Sequence, residues 1–263
     1  MKNTNEKRRR PAPIVPVEEI EGQLEGRNAL TEALRSGRTV DKVFIAAGEI
    51  DRGLQRLAAE AKDAGAVVVP VDRRKLDAMS TTHSHQGVIA LVAAHEYATI
   101  DDILEEAAAR GETALIVICD ELSDPHNLGA IMRSAECAGA HGVIIPKRRS
   151  VGLTATVAKA SAGAVEYMKV ARVTNINQAI AELKEKGVWI FGTAAEGSIP
   201  MYKADLTGPT AIVIGNEGQG MSPLVRKNCD VTVHIPMKGR ISSLNASAAA
   251  SILLYEAVRQ RLG

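Results

Sequence analysis

The hydrophobic and polar positions of this chain divide it into two differently patterned halves. From residue 20 to 94, helical periodicity and short apolar runs take turns. Residues 26–36 place Leu30, Ala33 and Leu34 on one helical face, and Gly37 is a stop signal. Residues 40–46 read as a strand, 51–64 as a helix ending at Gly65, 66–71 as an apolar β run, 73–79 as a short helix and 88–94 as another strand. Together they predict a small αβαβαβ domain. Residues 95–112 are polar, acidic and helix-prone over 100–110, and read as a linker with the entry to the next domain. From residue 113 onward six short strands are expected, at 114–119, 142–145, 167–173, 188–193, 210–214 and 231–235, with helices between most of them. Continuous aliphatic strands separated by helices indicate a parallel sheet covered on both faces. The last helix, 244–261, carries Ala248, Ser251, Ile252, Tyr255 and Val258 on the face expected to meet the sheet or a partner subunit. The expected fold is therefore α/β: a tail at 1–19, a small α/β domain at 20–95, a linker at 96–112 and a parallel-sheet domain at 113–263.

Composition narrows the picture. At 263 residues, 46% hydrophobic and 24% charged, the chain matches a soluble globular protein of one large or two ordinary domains. Seven aromatic residues leave an aliphatic core and argue against a base-stacking module built on exposed rings. The net charge of +1 does not mark a nucleic-acid binder, but its distribution is uneven. Lys2, Lys7, Arg8, Arg9 and Arg10 make the first residues a basic arm, either a nonspecific phosphate contact or a solvated tail. Cys119, Cys137 and Cys229 are too widely spaced for a Cys-x-x-Cys zinc site, and three thiols without a framework suggest a reducing compartment. No apolar stretch would span a membrane and no apolar segment follows the N-terminal charges, so a cytoplasmic protein is expected. His83 and His85 lack the further ligands a metal site needs.

The chemistry is concentrated where apolar strands stop in small polar residues. The strand at 210–214 runs into Gly215-Asn216-Glu217-Gly218-Gln219-Gly220, and that at 231–235 runs towards Ser242-Ser243-Leu244-Asn245-Ala246-Ser247. Ligands of open α/β sheets sit at the carboxyl ends of strands, so two such ends suggest one pocket. The glycine-rich segment lacks the Lys-Ser/Thr of a phosphate loop and carries an acid, which suits a neutral or cationic ligand; taken alone it also reads as a structural turn. After the first strand of this half, Asp124-Pro125-His126-Asn127-Leu128-Gly129 opens a helix bearing Arg133, with no Gly-x-Gly-x-x-Gly turn for a dinucleotide. Read alone, Asn127 is a helix cap and Arg133 a surface charge. Ser242 and Ser243 read first as caps of the last helix, whereas Asn245 and Ser247 place polar groups where a helix needs none. Lys147-Arg148-Arg149 follows the second strand as either a phosphate contact or a solvated loop.

Those three segments resemble the three signature motifs of the SpoU/TrmH RNA methyltransferases of the SPOUT superfamily. The resemblance spans 113–263 without a departure in any motif. It implies a trefoil knot, S-adenosylmethionine as cofactor, a homodimer built through the C-terminal domain, and no metal. It implies catalytic roles for Asn127, Arg133, Glu217, Ser243 and Asn245, and cofactor contacts from Thr193, Ala194, Gly215, Ile235, Met237 and Leu244. A shorter resemblance, carried by residues 25–34 and 85–90, is to the substrate-binding domain of members that modify large-subunit ribosomal RNA. It implies RNA contacts from Arg27 and Asn28, beside Lys147, Arg148 and Arg149. The implied reaction is 2′-O-methylation of an RNA ribose, with a guanosine of ribosomal RNA as target. A transfer-RNA enzyme, an antibiotic-resistance methyltransferase acting on rRNA adenosine, and a noncatalytic RNA-binding protein of the same fold are the alternatives. In the family the motif-one Arg is proposed as the base, which is chemically awkward because a guanidinium is always protonated.

Overall fold

Runs of aliphatic residues that must leave water on both faces form the larger of two sheets. A computed structural model describes residues 22–48, 51–194, 199–216 and 218–263; the basic arm and Glu217 lie outside them. The small domain comprises β1 (Gln23–Glu25), α1 (Arg27–Arg35), β2 (Val40–Ala46), α2 (Arg52–Asp63), β3 (Val67–Val71), α3 (Arg73–Met79) and β4 (Val88–Val92). Its sheet order is β1-β4-β2-β3, with β4 antiparallel to β1 and β2, and β3 parallel to β2. Strand alternation sends Val43, Ile45, Val88 and Ala90 into one core with α1 and α2. On the opposite face Val71 and Ile89 pack with Leu76 of α3.

The second domain comprises α4 (Ile100–Ala109), β5 (Leu115–Cys119), α5 (Pro125–Cys137), β6 (Gly142–Pro146), α6 (Ala155–Ala160), β7 (Lys169–Val173), α7 (Ile176–Glu185), β8 (Trp189–Thr193), β9 (Ile199–Pro200), β10 (Thr210–Ile214), α8 (Pro223–Asn228), β11 (Val231–His234) and α9 (Ala246–Leu262). Its seven-stranded sheet is parallel in the order β7-β6-β5-β10-β8-β11-β9. After β5 the chain steps outward through β6 and β7, then crosses to the other side for β8. A sheet whose order reverses in this way opens a crevice at the carboxyl ends of its strands.

Three expectations are corrected here. The helix expected over 100–110 forms as α4, but residues 96–112 are more than a linker: α4, capped by Thr99 in a reciprocal capping box with Asp102, buries Ile100, Ile103 and Ala107 against Ile116 and Ile144 of the large sheet. The last helix begins at Ala246, and its buried face is Ala246, Ala250, Leu253, Leu254 and Ala257. Ala248, Ile252 and Tyr255 stay exposed, so of the two surfaces foreseen for that stripe the sheet is not the one it meets. Among the described residues no helix is long and apolar enough to cross a membrane.

The two sheets are joined by a buried polar node. Arg172 of β7 donates to Asp41 Oδ1 at 2.6 Å and to the Asp41 carbonyl at 2.9 Å, both side chains being 7% exposed. The Tyr97 hydroxyl donates to Asp41 Oδ2 at 2.9 Å, accepts from the Leu153 amide at 2.9 Å, and its ring lies 5.3 Å from the Arg172 guanidinium carbon. Burial pushes the Asp41 carboxyl up from its ordinary value, against the pull of Arg172 and Tyr97.

Candidate active site

The carboxyl ends of β8, β10 and β11 open onto one cavity of about 550 Å³, a size that suits a nucleoside-sized ligand. Thr193, Ala194, Gly215, Ile235, Met237 and Leu244 all line it, as does Ser243. Ile214, Val233, Ala246 and Leu253 give it apolar walls, and Arg226 and His234 stand on its polar side.

The loop after β10 owes its shape to its own backbone. Asn216 and Gly220 exchange N–H···O bonds of 3.2 and 3.0 Å, and Asn216 Oδ1 accepts from the Gly218 and Gln219 amides at 3.0 and 2.7 Å. A Cβ on Gly215 would sit 2.2 Å from the Gly220 carbonyl carbon and the Met221 nitrogen. That glycine therefore makes room for the returning chain as well as for anything in the cavity. Buried Asp120, at the end of β5, accepts from the Ser222 amide at 2.7 Å and ties the loop to the neighbouring strand.

Asn245 stands between Leu244 and Ala246, which line the cavity. Its Oδ1 caps α9, accepting from the Ser247 amide at 2.9 Å, the Ser247 hydroxyl at 2.6 Å and the Ala248 amide at 3.3 Å. The expectation that Asn245 sits where a helix needs no polar group is thus corrected: it is the cap, in place of the serines before it. With Oδ1 so engaged, its Nδ2 donates to Asn127 Oδ1 at 2.9 Å. Asn127 is buried in the first turn of α5, whose cap is Asp124 rather than Asn127. A second contact, Ser134 Oγ to Ser251 Oγ at 2.7 Å, lies one to two turns further along both helices. α5 and α9 therefore run side by side in the same sense, and motifs more than a hundred residues apart meet behind the cavity wall.

Gly129 sets how deeply α5 can sit. A Cβ there would lie 2.5 Å from Ala160 Cβ and 2.9 Å from the Ala160 and Ser161 backbone of the segment closing α6. Alanine is the better helix former by roughly 1 kcal/mol, but moving α6 backbone costs more, about 1–3 kcal/mol for overpacking. We expect Gly129→Ala to be destabilised in urea unfolding and to lose activity by displacing Asn127. A variant more stable than wild type would show that α5 and α6 part freely.

The remaining candidates are dispersed. Arg133 is exposed on the outer side of α5, makes no hydrogen bond or ion pair among the described residues, and does not line the cavity. Arg27 is committed to a bidentate pair with Asp51 at 3.0 and 2.6 Å and to the Gln86 carbonyl at 3.3 Å, so it holds the small domain together. Asn28, Arg148 and Arg149 are exposed, Lys147 is half-buried, and Arg149 pairs with Glu121 at 3.0 Å. Arg226, His234 and Leu253 were not singled out by sequence: Arg226 and His234 lie near the two strand ends in the chain, whereas Leu253 reaches the cavity from α9 with no local signal. His85 bonds to Asp77 at 2.9 Å and accepts from the Gly87 amide at 3.0 Å, a structural role. Among the described residues no group of three metal-ligating side chains forms. Cys229, packed behind the cavity against Gly192, is pushed up to about 11 by burial and is protonated at neutral pH.

The residues present fit the cofactor implied by the motifs. Small side chains at Ala194, Gly215, Ala246 and Ala249 leave backbone accessible along the cavity, and the apolar walls suit a flat base. Residues 114–255 match the model of the SpoU rRNA methylase family, and residues 23–98 match that of the RNA 2′-O ribose methyltransferase substrate-binding domain. The chain belongs to the SpoU/TrmH family of RNA methyltransferases. A Bacillus subtilis relative, YacO, assigned to the TrmH family of tRNA/rRNA methyltransferases, is 48% identical over 236 residues, covering 90% of this chain and 94% of its own. The crystal structure of the SpoU methyltransferase AviRb from Streptomyces viridochromogenes, in complex with AdoMet, is 28% identical with a TM-score of 0.59, covering 91% of this chain and 90% of that one. The TrmH/SpoU tRNA modifying enzyme of A. aeolicus is 32% identical with a TM-score of 0.53 over 57% of this chain and 77% of that one. The two matched segments of this SpoU/TrmH methyltransferase correspond to its two sheets.

Proposed function

We propose that this enzyme methylates a ribose 2′-hydroxyl of RNA with S-adenosylmethionine, and that its target is a guanosine of large-subunit ribosomal RNA. The observation that carries the reading is the cavity: the six residues expected to contact cofactor line it, and Asn245, hydrogen-bonded to Asn127, stands between its lining residues Leu244 and Ala246. When bound, the cofactor supplies an electrophilic methyl group on a sulfonium. The Gly215–Met221 loop and the backbone at 193–194, 235–237 and 244 hold it, while Ile214, Val233 and Leu253 keep water from its flat base. Asn127, Ser243, Asn245 and Glu217 orient the ribose, so that the attacking oxygen is aligned with the methyl group. Arg133 anchors the target phosphate and stabilises the oxygen's negative charge as its proton passes to solvent water; being always charged, the guanidinium does not take that proton.

The reading includes a homodimer through α5 and α9. Exposed Ile252 and Tyr255 lie on the helix hydrogen-bonded to α5, which carries Arg133. Two-fold pairing of this face would cover them and bring Arg133 towards the partner's cavity. The trefoil knot belongs to the same proposal, and the three free cysteines support a reducing, cytoplasmic setting. A substrate-binding domain beside the catalytic one favours ribosomal RNA.

Mapping of 2′-O-methyl positions in RNA from cells with and without this protein tests the target. We expect one ribosomal guanosine to lose its mark; loss of a transfer-RNA mark instead would reassign the substrate. Calorimetry should give cofactor binding unchanged by excess chelator. Activity that collapses with chelator and returns with zinc or magnesium, the RNA's own fold being controlled, would refute the metal-free reading.

A further inference from the structure

The open face of the small sheet collects positive charge at the junction of the two domains. Both oxygens of Asp41 are taken, one by Arg172 and one by Tyr97. The neighbouring Lys42 is half-buried, and its ammonium lies 5.9 Å from the centre of the Phe44 ring. Lys75, reaching over from α3, places its own ammonium 5.8 Å from the same ring. Neither lysine makes an ion pair among the described residues, and two like charges share one aromatic side chain. Burial, and then the Arg172 charge, push the Lys42 ammonium below its ordinary value, while the adjacent Asp41 carboxylate pulls the other way. Asp72, the cap of α3, accepts from the Arg74 amide, Asp77 of α3 bonds to His85, and neither pairs with a lysine. Arg73 and Arg74, both exposed, add to the same helix.

The large sheet contributes from the other side. Lys147 follows β6 directly, and its Nζ lies 3.6 Å from where a Gly65 Cβ would stand. Gly65 is two residues before Val67, the register partner of Lys42. Lys147 thus reaches from the carboxyl end of β6 to the turn before β3, at the end of the small sheet where Lys42 lies.

We propose that Lys42, Lys75 and Lys147 form a phosphate-binding cleft for a single-stranded stretch of RNA passing between the domains towards α5. The proposal rests on the RNA-methylating function above. Charge complementarity selects the occupant: Lys75 and Lys147 make no ion pair among the described residues, and the Asp41 carboxylate beside Lys42 is already held by Arg172, so the excess charge matches a polyanion. Phe44 serves to hold two of them in place.

The test uses the full chain and a labelled oligouridylate, with affinity measured across a range of salt. Each phosphate contact on a single strand contributes roughly 0.7 to the slope of log affinity against log salt. The Lys42→Gln/Lys75→Gln variant should therefore lose about 1.4 from that slope, and Lys147→Gln about 0.7. Cofactor affinity and melting temperature serve as fold controls and should not move. A slope unchanged in the variants, affinity lost without a change of slope, or a wild-type chain that does not bind oligouridylate would each overturn the cleft. Methyl transfer to ribosomal RNA by the wild type is read separately. A chain that methylates RNA but fails these slopes loses only the cleft, whereas one that methylates no RNA loses the functional reading while the slopes still judge the cleft.

Discussion

Replacing Arg133 by alanine should lower turnover by about two to three orders of magnitude, the range seen when one preorganised donor to a developing oxyanion is removed, and leave cofactor affinity unchanged. The geometry separates these effects. Arg133 is exposed on α5, away from the cavity lining and without a partner among the described residues. Its removal therefore costs little folding energy, as for surface positions generally. Arg133→Lys keeps the charge and loses the planar fork. An anchoring role predicts poor rescue at every pH, whereas a base role predicts rescue that grows as pH rises. The dimer adds a second readout. Mixed with an Asn245→Ala protein, the Arg133→Ala protein should regain activity, since one site of the mixed dimer has an intact cavity and an intact partner arginine. Absence of complementation would sink the shared site, and near-normal turnover of Arg133→Ala would reduce the residue to a surface charge.

Much of this was legible in the residues. The six aliphatic strands of the large sheet fall within about two residues of their expected bounds, because a strand buried on both faces is continuously apolar and ends abruptly where it meets water. The two strands not foreseen, β1 and β9, have three and two residues and exist only through pairing with β4 and β11; no local period marks so short a segment. α9 misled because alanines place small apolar groups on several of its faces, so that the chain alone does not say which one meets the sheet. Within residues 96–112 the helix was legible but its packing was not, since exposed acids masked the narrow stripe of Ile100, Ile103 and Ala107. The cavity was legible because its walls come from two strand ends close together in sequence. The junction cleft was not, because Lys42, Lys75 and Lys147 come from elements distant in sequence. Its local traces are the basic run Lys147-Arg148-Arg149 after β6 and the charged pair Asp41-Lys42 inside an otherwise apolar strand.

That pair carries the other large effect. Asp41→Ala should cost about 3–5 kcal/mol in urea unfolding, because it strands the Arg172 guanidinium in a buried site without its counter-charge. Arg172 is 7% exposed and gives Asp41 its bond of 2.6 Å, and Tyr97 loses an acceptor at the same time. Asp41→Leu with Arg172→Met removes both charges and fills similar space, so stability should largely return, as it does when buried pairs are replaced by apolar residues. Activity on RNA need not return with it. Asp41 belongs to the small sheet and Arg172 to the large one, and the Tyr97 hydroxyl bridges Asp41 to the Leu153 amide. These directional bonds fix how one sheet faces the other, and apolar replacements do not. The double variant should therefore fold and bind cofactor like wild type yet show a raised KM for RNA. A double variant with normal stability and a normal KM would mean that packing alone orients the domains. If Asp41→Ala costs less than 1 kcal/mol, the node is open enough for water to take the place of the carboxylate.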